Sequence, residues 1–219
     1  KVNKGETLAI IGATGSGKST IINLIPRFYD ATSGEVLVNG INVLDYKVKD
    51  LRNLVAIASQ KAALFKGTIQ DNITYGSPII DQERMDMALD IAKADFVKDL
   101  EQGLDSMVAQ GGSNFSGGQK QRISIARALY KNAPIIIFDD TFSALDYKTD
   151  MLVRKKIKEN LKDTTVIIIA QRIGTIMNAD NIIVLDEGKI IGMGTHKQLL
   201  KSCSLYQEIA LSQLSKEEL

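Results

Sequence analysis

A glycine-rich stretch near the amino terminus combines the residue types that bind the phosphates of a nucleotide. It consists of Gly12-Ala13-Thr14-Gly15-Ser16-Gly17-Lys18-Ser19-Thr20. This order follows the pattern G-x-x-x-x-G-K-S of a phosphate-binding P-loop. The glycines let backbone N–H groups wrap around a phosphate, and the positive end of a following helix favours the negative charge. The Lys18 ammonium is predicted to neutralise the β- and γ-phosphates, and the Ser19 hydroxyl to ligate Mg²⁺.

A second oxygen ligand for the metal is predicted at the end of a buried strand. The run Ile135-Ile136-Ile137-Phe138 is fully apolar, and Asp139 follows it directly. P-loop nucleotide hydrolases hold their magnesium with an aspartate in this position. An aspartate there can also cap a helix or a turn, but the P-loop upstream favours the metal role. Asp139 is therefore predicted to ligate Mg²⁺ together with Ser19.

Further segments narrow the class of nucleotide hydrolase. Residues 114–122 read N-F-S-G-G-Q-K-Q-R, which closely resembles the signature motif of ATP-binding cassette (ABC) ATPases. Ser143-Ala144-Leu145-Asp146 resembles their D-loop, and Gln60 falls where the family has its Q-loop glutamine. Residues 64–73, with Tyr75-Gly76, look like the exporter branch. The resemblance covers essentially all 219 residues, with the motifs in the family's order and spacing.

The ABC resemblance implies ATP and Mg²⁺ as ligands and a second ABC nucleotide-binding domain as partner. In such a head-to-tail dimer each ATP lies between one P-loop and the partner's signature. The residues expected to bind ATP in this chain are Gly12, Ala13, Thr14, Gly15, Ser16, Gly17, Lys18, Ser19, Thr20 and Gln60. Those expected to hold the metal are Ser19, Gln60 and Asp139. Those expected to face the partner's ATP are Ser116, Gly117, Gly118 and Gln119, with Asp146 in the D-loop.

The residue after the metal aspartate departs from the family's pattern. The family has a glutamate there that polarises the attacking water, whereas this chain has Asp140. The aspartate carboxylate is one methylene shorter, and a misplacement of about 1 Å can lower a rate on the order of a hundredfold. Asp140 is therefore predicted to be a catalytic residue that works slowly.

A second departure concerns the position just after the strand predicted at Thr164–Ala170. The family places a histidine there in contact with the γ-phosphate, and this chain has Gln171. Glutamine can donate a hydrogen bond but cannot carry the charge of an imidazolium. The only histidine, His196, is predicted to start a helix beside the cap residue Thr195.

Asp140 and Gln171 together predict a degenerate site that binds ATP and hydrolyses it slowly. The intact signature would complete the site of a different chain that has Glu and His, as the resemblance implies for heterodimeric ABC exporters. The alternative is that the two substitutions arose by independent drift in an enzyme that is still competent to hydrolyse ATP. The resemblance further implies a transmembrane domain in the same polypeptide and a place at the cytoplasmic face of the cell membrane.

The elements that must position these residues alternate between apolar strand runs and helical segments. This alternation predicts an α/β fold with a mostly parallel sheet, here a P-loop NTPase (RecA-like) core, an antiparallel β part and an α-helical signature subdomain. The core is expected at about residues 1–75 and 132–219, and the helical subdomain at about 76–131. Because the chain starts at Lys1 and not Met, we expect it to lack an N-terminal part of its nucleotide-binding domain and the transmembrane domain.

Three local patterns add detail to this fold. Asn39-Gly40 between apolar runs is a strong hairpin signal. The spacing of apolar residues predicts a helix from about Asp81 to Leu100. The tail from Lys197 to Leu219 is predicted to be helical and amphipathic.

Composition excludes several other functions. The 27 Lys and Arg against 26 Asp and Glu give a net charge of +1, which argues against a nucleic-acid partner. A single cysteine excludes an internal disulfide, and no apolar run approaches the roughly 18 residues of a membrane-spanning helix. Two alternatives to an exporter motor stay open: a regulatory ATP-binding module that gates a membrane protein, and a soluble ABC ATPase without a transport role.

Overall fold

The structure is a computed structural model, and it describes residues 1–214. Its strands are β1 (Thr7–Ile11), β2 (Leu37–Val38), β3 (Ile41–Asn42), β4 (Val55–Ala58), β5 (Gly67–Thr68), β6 (Met107–Val108), β7 (Ile135–Asp139), β8 (Thr165–Ile169), β9 (Asn181–Asp186) and β10 (Lys189–Gly194). Its α-helices are α1 (Lys18–Leu24), α2 (Val48–Asn53), α3 (Ile69–Ile73), α4 (Gln82–Ile91), α5 (Gly117–Tyr130), α6 (Tyr147–Asn160), α7 (Ile173–Ile176), α8 (His196–Ser202) and α9 (Ser204–Gln213).

The described chain forms two compact units. The first unit comprises residues 1–56, 133–139 and the chain from Asp163 onward, and the second comprises residues 57–132 and 140–162. The helical segment predicted at about 76–131 lies inside the second unit. The predicted division into core and helical subdomain itself stays a prediction.

The largest sheet has the order β10-β9-β1-β8-β7-β4. β1 runs parallel to β8 and β9, β7 runs parallel to β8, and β10 is antiparallel to β9. All five residues of β8 are buried, as expected for a strand inside a parallel sheet whose two faces are covered. The predicted α/β fold with a mostly parallel sheet is therefore confirmed.

A small antiparallel part lies in the first unit. β2 and β3 pair antiparallel, with Leu37 opposite Asn42 and Val38 opposite Ile41. Asn39 and Gly40 have φ angles of 52° and 79°, the left-handed pair that a two-residue hairpin turn requires. The predicted hairpin is confirmed.

The second unit is mostly helical. It contains α3 to α6 and the antiparallel pair of β5 and β6. The helix predicted up to Leu100 was wrong in its length, because α4 ends at Ile91. Lys93 adopts a left-handed φ of 52°, and the Ala94 N–H donates to the Leu89 carbonyl at 2.9 Å. This backbone turn closes the helix, and only short 3-10 turns follow before β6.

The tail predicted to be helical from Lys197 onward is helical over most of its described part, as two helices, α8 and α9, that meet at Cys203. Cys203 has an extended backbone, and the chain turns there so that Tyr206 lies beside His196, with 2.8 Å between the Tyr206 hydroxyl and Nδ1. His196 begins α8 directly after its cap Thr195, as predicted. The last five residues of the predicted tail lie outside the described residues. Within residues 1–214 no helix combines the length and the apolar character needed to cross a membrane.

Candidate functional site

The glycine-rich loop occupies residues 12–17 and joins β1 to α1 in the first unit. Gly15 and Gly17 have left-handed φ angles of 86° and 98°. A Cβ atom on Gly12 would lie 2.1 Å from the carbonyl oxygen of Leu185, so only glycine fits beside that strand. The loop therefore has glycine where the backbone requires it, and its shape depends on these residues.

Lys18 is buried inside this loop. Its ammonium donates hydrogen bonds to the carbonyl oxygens of Gly12 at 2.8 Å and Ala13 at 2.7 Å, and it lies 3.4 Å from the Ser16 hydroxyl. Only 8% of Lys18 is exposed. These contacts hold the ammonium of Lys18 against the loop, and a positive charge there can pair with the negative charge of a phosphate.

The two predicted metal ligands of the first unit lie together. The Ser19 hydroxyl donates to Asp139 Oδ1 at 3.2 Å, where β7 ends. Hydroxyl and carboxylate oxygens are the hard ligands that Mg²⁺ prefers, so this pair fits the ion that ATP requires. Residues 1–214 hold no cluster of three or more His, Cys, Asp or Glu suited to a metal.

Gln60 and Asp140 meet in the second unit. Gln60 Nε2 donates to Asp140 Oδ2 at 2.9 Å. Asp140 is buried, and its φ of 47° lies in the left-handed region that few non-glycine residues adopt. The Ser143 hydroxyl donates to the Asp140 carbonyl at 2.7 Å. These hydrogen bonds hold Asp140 in a conformation that costs on the order of 1–3 kcal/mol.

The signature residues form the start of α5. Ser116 Oγ accepts from the Gln119 N–H at 3.2 Å, and Gln119 Oε1 accepts from the Ser116 N–H at 2.9 Å, which is a complete capping box. Ser116 and Gly117 are exposed, whereas Gly118 is half-buried. A Cβ on Gly117 would meet no atom within 4 Å, so nothing in the described chain requires a glycine there.

The remaining predicted residues lie at the ends of other elements. Asp146 is the exposed N-cap of α6 and accepts from the Thr149 N–H at 3.0 Å, and the hydrogen bonds from Thr149 lower the pKa of Asp146. Gln171 is exposed in the first unit, and its carbonyl accepts from Gln213 Nε2 at 2.8 Å. Gln213 also accepts from the Ile173 N–H at 2.8 Å, so α9 holds the backbone on both sides of Arg172.

The sequence did not single out two residues that hold the segment before Gln60. Gln121 Nε2 donates to the Ser59 carbonyl at 2.9 Å, and the Thr141 hydroxyl donates to the Ala58 carbonyl at 2.6 Å. Gln121 lies in the signature-like stretch, but its role depends on a residue 62 positions earlier. A polar residue on the buried face of an amphipathic helix was the available signal.

Residues 1–143 match the model of a protein family described as ABC transporter. The chain belongs to the ABC transporter family. It is an ATP-binding domain of that family of ATPases. The resemblance to ABC ATPases is thereby confirmed at the level of the family.

Several relatives cover nearly all of this ABC domain. It is 47% identical over 213 residues to an uncharacterised ABC transporter ATP-binding protein of Mycobacterium tuberculosis, covering 95% of this chain and 36% of the relative. It is 45% identical over 207 residues to an ATP-dependent lipid A-core flippase of Photobacterium profundum, covering 94% and 35%. The solved structure of a bacterial Atm1-family ABC exporter with ATP bound matches with a TM-score of 0.93 and 39% identity, covering 97% of this chain and 38% of that one. The ABC domain thus spans little more than a third of these relatives.

Proposed function

We propose that this chain is the ATP-driven motor domain of an ABC exporter, located at the cytoplasmic face of the membrane. The match to an exporter structure and the similarity to a flippase support export. A Staphylococcus aureus relative, 43% identical over 209 residues, is named a putative multidrug export ATP-binding/permease protein. That name and the small share of the relative that is covered, 36%, support a transmembrane domain in the same polypeptide. These relatives favour an exporter over a regulatory module or a soluble ATPase.

The residues of the first unit would bind the phosphates of Mg²⁺–ATP. The Lys18 ammonium, now bonded to two loop carbonyls, would donate to the β- and γ-phosphates. Ser19 and Asp139 would hold the metal, and Gln60 would add a further ligand from its carboxamide oxygen. Bound Mg²⁺ would offset the negative charge that develops on the phosphates during transfer.

Asp140 carries the proposal that this site hydrolyses ATP slowly. It follows the metal ligand Asp139 directly in the chain, where a general base would contact the attacking water. Its carboxylate is one methylene shorter than that of glutamate, and it already accepts a hydrogen bond from Gln60. Gln171 would contact the γ-phosphate without the positive charge of an imidazolium. ATP would therefore stay bound at Lys18 for longer than at a site with Glu and His.

The signature would serve the ATP of a second nucleotide-binding domain. Ser116 and Gly117 are exposed at the start of a 14-residue helix, and the space over Gly117 is open to a group from outside the chain. The helix start offers backbone N–H groups and a positive dipole end to a γ-phosphate. We infer that the partner is a different chain with Glu and His in its own site, since two copies of this chain would form only slow sites.

Sedimentation and steady-state ATP turnover of the pure chain test this proposal. We expect a monomer without nucleotide and weak ATPase activity, because each site needs a second chain. Addition of a partner domain with Glu and His should raise turnover strongly. Robust hydrolysis by the pure chain would contradict the slow-site proposal, and failure to bind ATP would contradict the assignment of the P-loop.

A further inference from the structure

The carboxamide of Gln121 is buried in the helical unit and holds one backbone carbonyl. Gln121 is the fifth residue of α5 and is 2% exposed. Its Nε2 donates to the Ser59 carbonyl at 2.9 Å. A buried amide costs free energy unless it is hydrogen-bonded, so the bond to the Ser59 carbonyl offsets the burial of this side chain.

Ser59 directly precedes Gln60, the residue predicted to contact ATP and Mg²⁺. The Ser59 carbonyl belongs to the same planar peptide group as the Gln60 nitrogen, so the hydrogen bond from Gln121 fixes the orientation of that peptide plane. The far end of the Gln60 side chain is fixed by its hydrogen bond to Asp140. Strand β4 ends at Ala58, so beyond that residue the segment depends on side chains for its position.

We propose that Gln121 is a positioning residue for Gln60. It holds the peptide plane from which the Gln60 side chain leaves, and thereby aims the Gln60 carboxamide at Asp140. This inference rests on the proposed function, in which Gln60 acts at the ATP site.

Gln121 lies on α5, the helix that begins with the signature residues, and this position has a second consequence. Ser116, the cap of α5, lies five residues earlier, about 7.5 Å along the helix axis. A helix of this kind moves as a rigid element, so a displacement of its start by the partner's γ-phosphate would displace Gln121 as well. Occupancy of the partner's ATP site would then change the position of Gln60 in this chain.

A matched control is available one residue further along α5. Arg122 Nη1 donates to the Lys93 carbonyl at 2.8 Å, which belongs to the segment after α4 and not to the segment before Gln60. Gln121→Met and Arg122→Met each replace a donor to a backbone carbonyl by the same unbranched apolar side chain. A general loosening of α5 would affect both variants, whereas a positioning role affects Gln60 only in the first.

The first test records the side-chain amide signals of the ¹⁵N-labelled chain by NMR. The Gln60 pair is assigned as the pair that is missing from Gln60→Ala. We expect this pair to shift or broaden in Gln121→Met and to keep its position in Arg122→Met. An unmoved Gln60 pair in Gln121→Met, or an equal displacement in both variants, would overturn the proposal.

The second test measures the affinity for ATP by calorimetry, with and without Mg²⁺. Because residues that orient a metal ligand typically change metal affinity 10- to 100-fold, Gln121→Met should weaken Mg²⁺–ATP by about tenfold or more. It should change the affinity for metal-free ATP by less than about twofold. In the Gln60→Ala background the same substitution should add less than about twofold, because it acts through Gln60. An undiminished effect in that background would overturn the proposal.

Two further measurements test the proposal if Gln121→Met does not fold. Gln121→Leu also lacks a hydrogen-bond donor and has a smaller side chain than methionine, and it should displace the Gln60 amide pair in the same way. In the unaltered chain the Gln121 carboxamide protons should exchange slowly with solvent, and rapid exchange would overturn the proposal. If the unaltered chain fails to bind ATP, the proposed function fails. The effect of Gln121→Met on the Gln60 amide signals can still be measured in that case. If ATP binds and the amide does not move, only the role of Gln121 fails.

Discussion

The Gln60 carboxamide donates a hydrogen bond to the Asp140 carboxylate, with 2.9 Å between Nε2 and Oδ2. The sequence assigned the two residues separate tasks, Gln60 at the metal and Asp140 at the attacking water. The contact is compatible with both, because the carboxamide donates through its nitrogen and ligates a metal through its oxygen. It also links the tasks, since any movement of Gln60 changes the surroundings of the Asp140 carboxylate.

Lys18→Ala should abolish ATP binding, because Lys18 supplies the main positive charge for the phosphates. Calorimetry with ATP measures this, and an unchanged affinity would remove Lys18 from the site. The variant should also lower the free energy of unfolding by about 1–3 kcal/mol, because the ammonium holds the carbonyls of Gly12 and Ala13. For the measurement of stability, Ser19→Ala is the control, because it keeps Lys18 and these two contacts.

Asp139→Asn should weaken the binding of Mg²⁺–ATP far more than that of metal-free ATP. The substitution keeps the size of the side chain but removes the negative charge beside the Ser19 hydroxyl. Titrations with Mg²⁺ and with a chelator compare the two affinities. Equal losses under both conditions would exclude Asp139 from the metal's ligands.

Local chemistry made part of this site predictable from the sequence. The P-loop is one continuous segment, and its glycines are required by left-handed φ angles and by the closeness of Leu185. The start of α5 was equally readable, because Ser116 and Gln119 cap each other within four residues. In both cases the residues that determine the geometry are neighbours in the chain.

The contacts around Gln60 were not predictable in this way. Gln121 and Thr141 bond to carbonyls that lie 62 and 83 positions earlier in the chain, and no local pattern indicates which donor meets which carbonyl. The end of α4 was misjudged for a related reason, because Lys93 adopts a left-handed φ that is most common for glycine. No local pattern indicated the break between α8 and α9 at Cys203, near which His196 contacts Tyr206.

His196 should make the stability of the chain sensitive to mild acid. Burial lowers the pKa of His196, the neighbouring Lys197 lowers it further, and its buried Nε2 has no hydrogen-bond partner within residues 1–214. The folded chain thus takes up a proton less readily than the unfolded chain. Stability is therefore full above a pH of about 6.5 and falls below it, by at most about 1.4 kcal/mol per pH unit.

Urea unfolding of the chain and of His196→Gln between about pH 5 and pH 8 measures this difference. The variant should show a flatter dependence on pH, whereas Tyr206→Phe, which keeps the histidine, should retain the fall below 6.5. If the free energy of unfolding depends on pH in the same way in the unaltered chain and in His196→Gln, His196 is not the group responsible.

Asp140→Glu combined with Gln171→His should raise hydrolysis of the ATP bound at Lys18. The longer carboxylate restores the reach to the attacking water, and the histidine restores a protonatable contact to the γ-phosphate. The gain should be non-additive, because both groups act on one transition state. Single-turnover measurements on the assembled dimer compare the two single variants with the pair. If the double variant binds ATP but hydrolyses it no faster than the unaltered chain, the slow hydrolysis has another cause, for instance in the partner's signature.

Substitution of Gly117 should disable the partner's ATP site and leave the site at Lys18 intact. A Cβ at Gly117 meets no atom of the described chain, so Gly117→Val should fold normally and bind ATP at Lys18 with unchanged affinity. The added side chain would instead block the approach of the partner's γ-phosphate to the start of α5. Total turnover of the assembled transporter should fall steeply, whereas Asp140→Asn should lower it little, since the slow site contributes little turnover. Steady-state ATPase assays on the two variants decide the matter: if Asp140→Asn silences the transporter and Gly117→Val is tolerated, the two sites have the opposite roles.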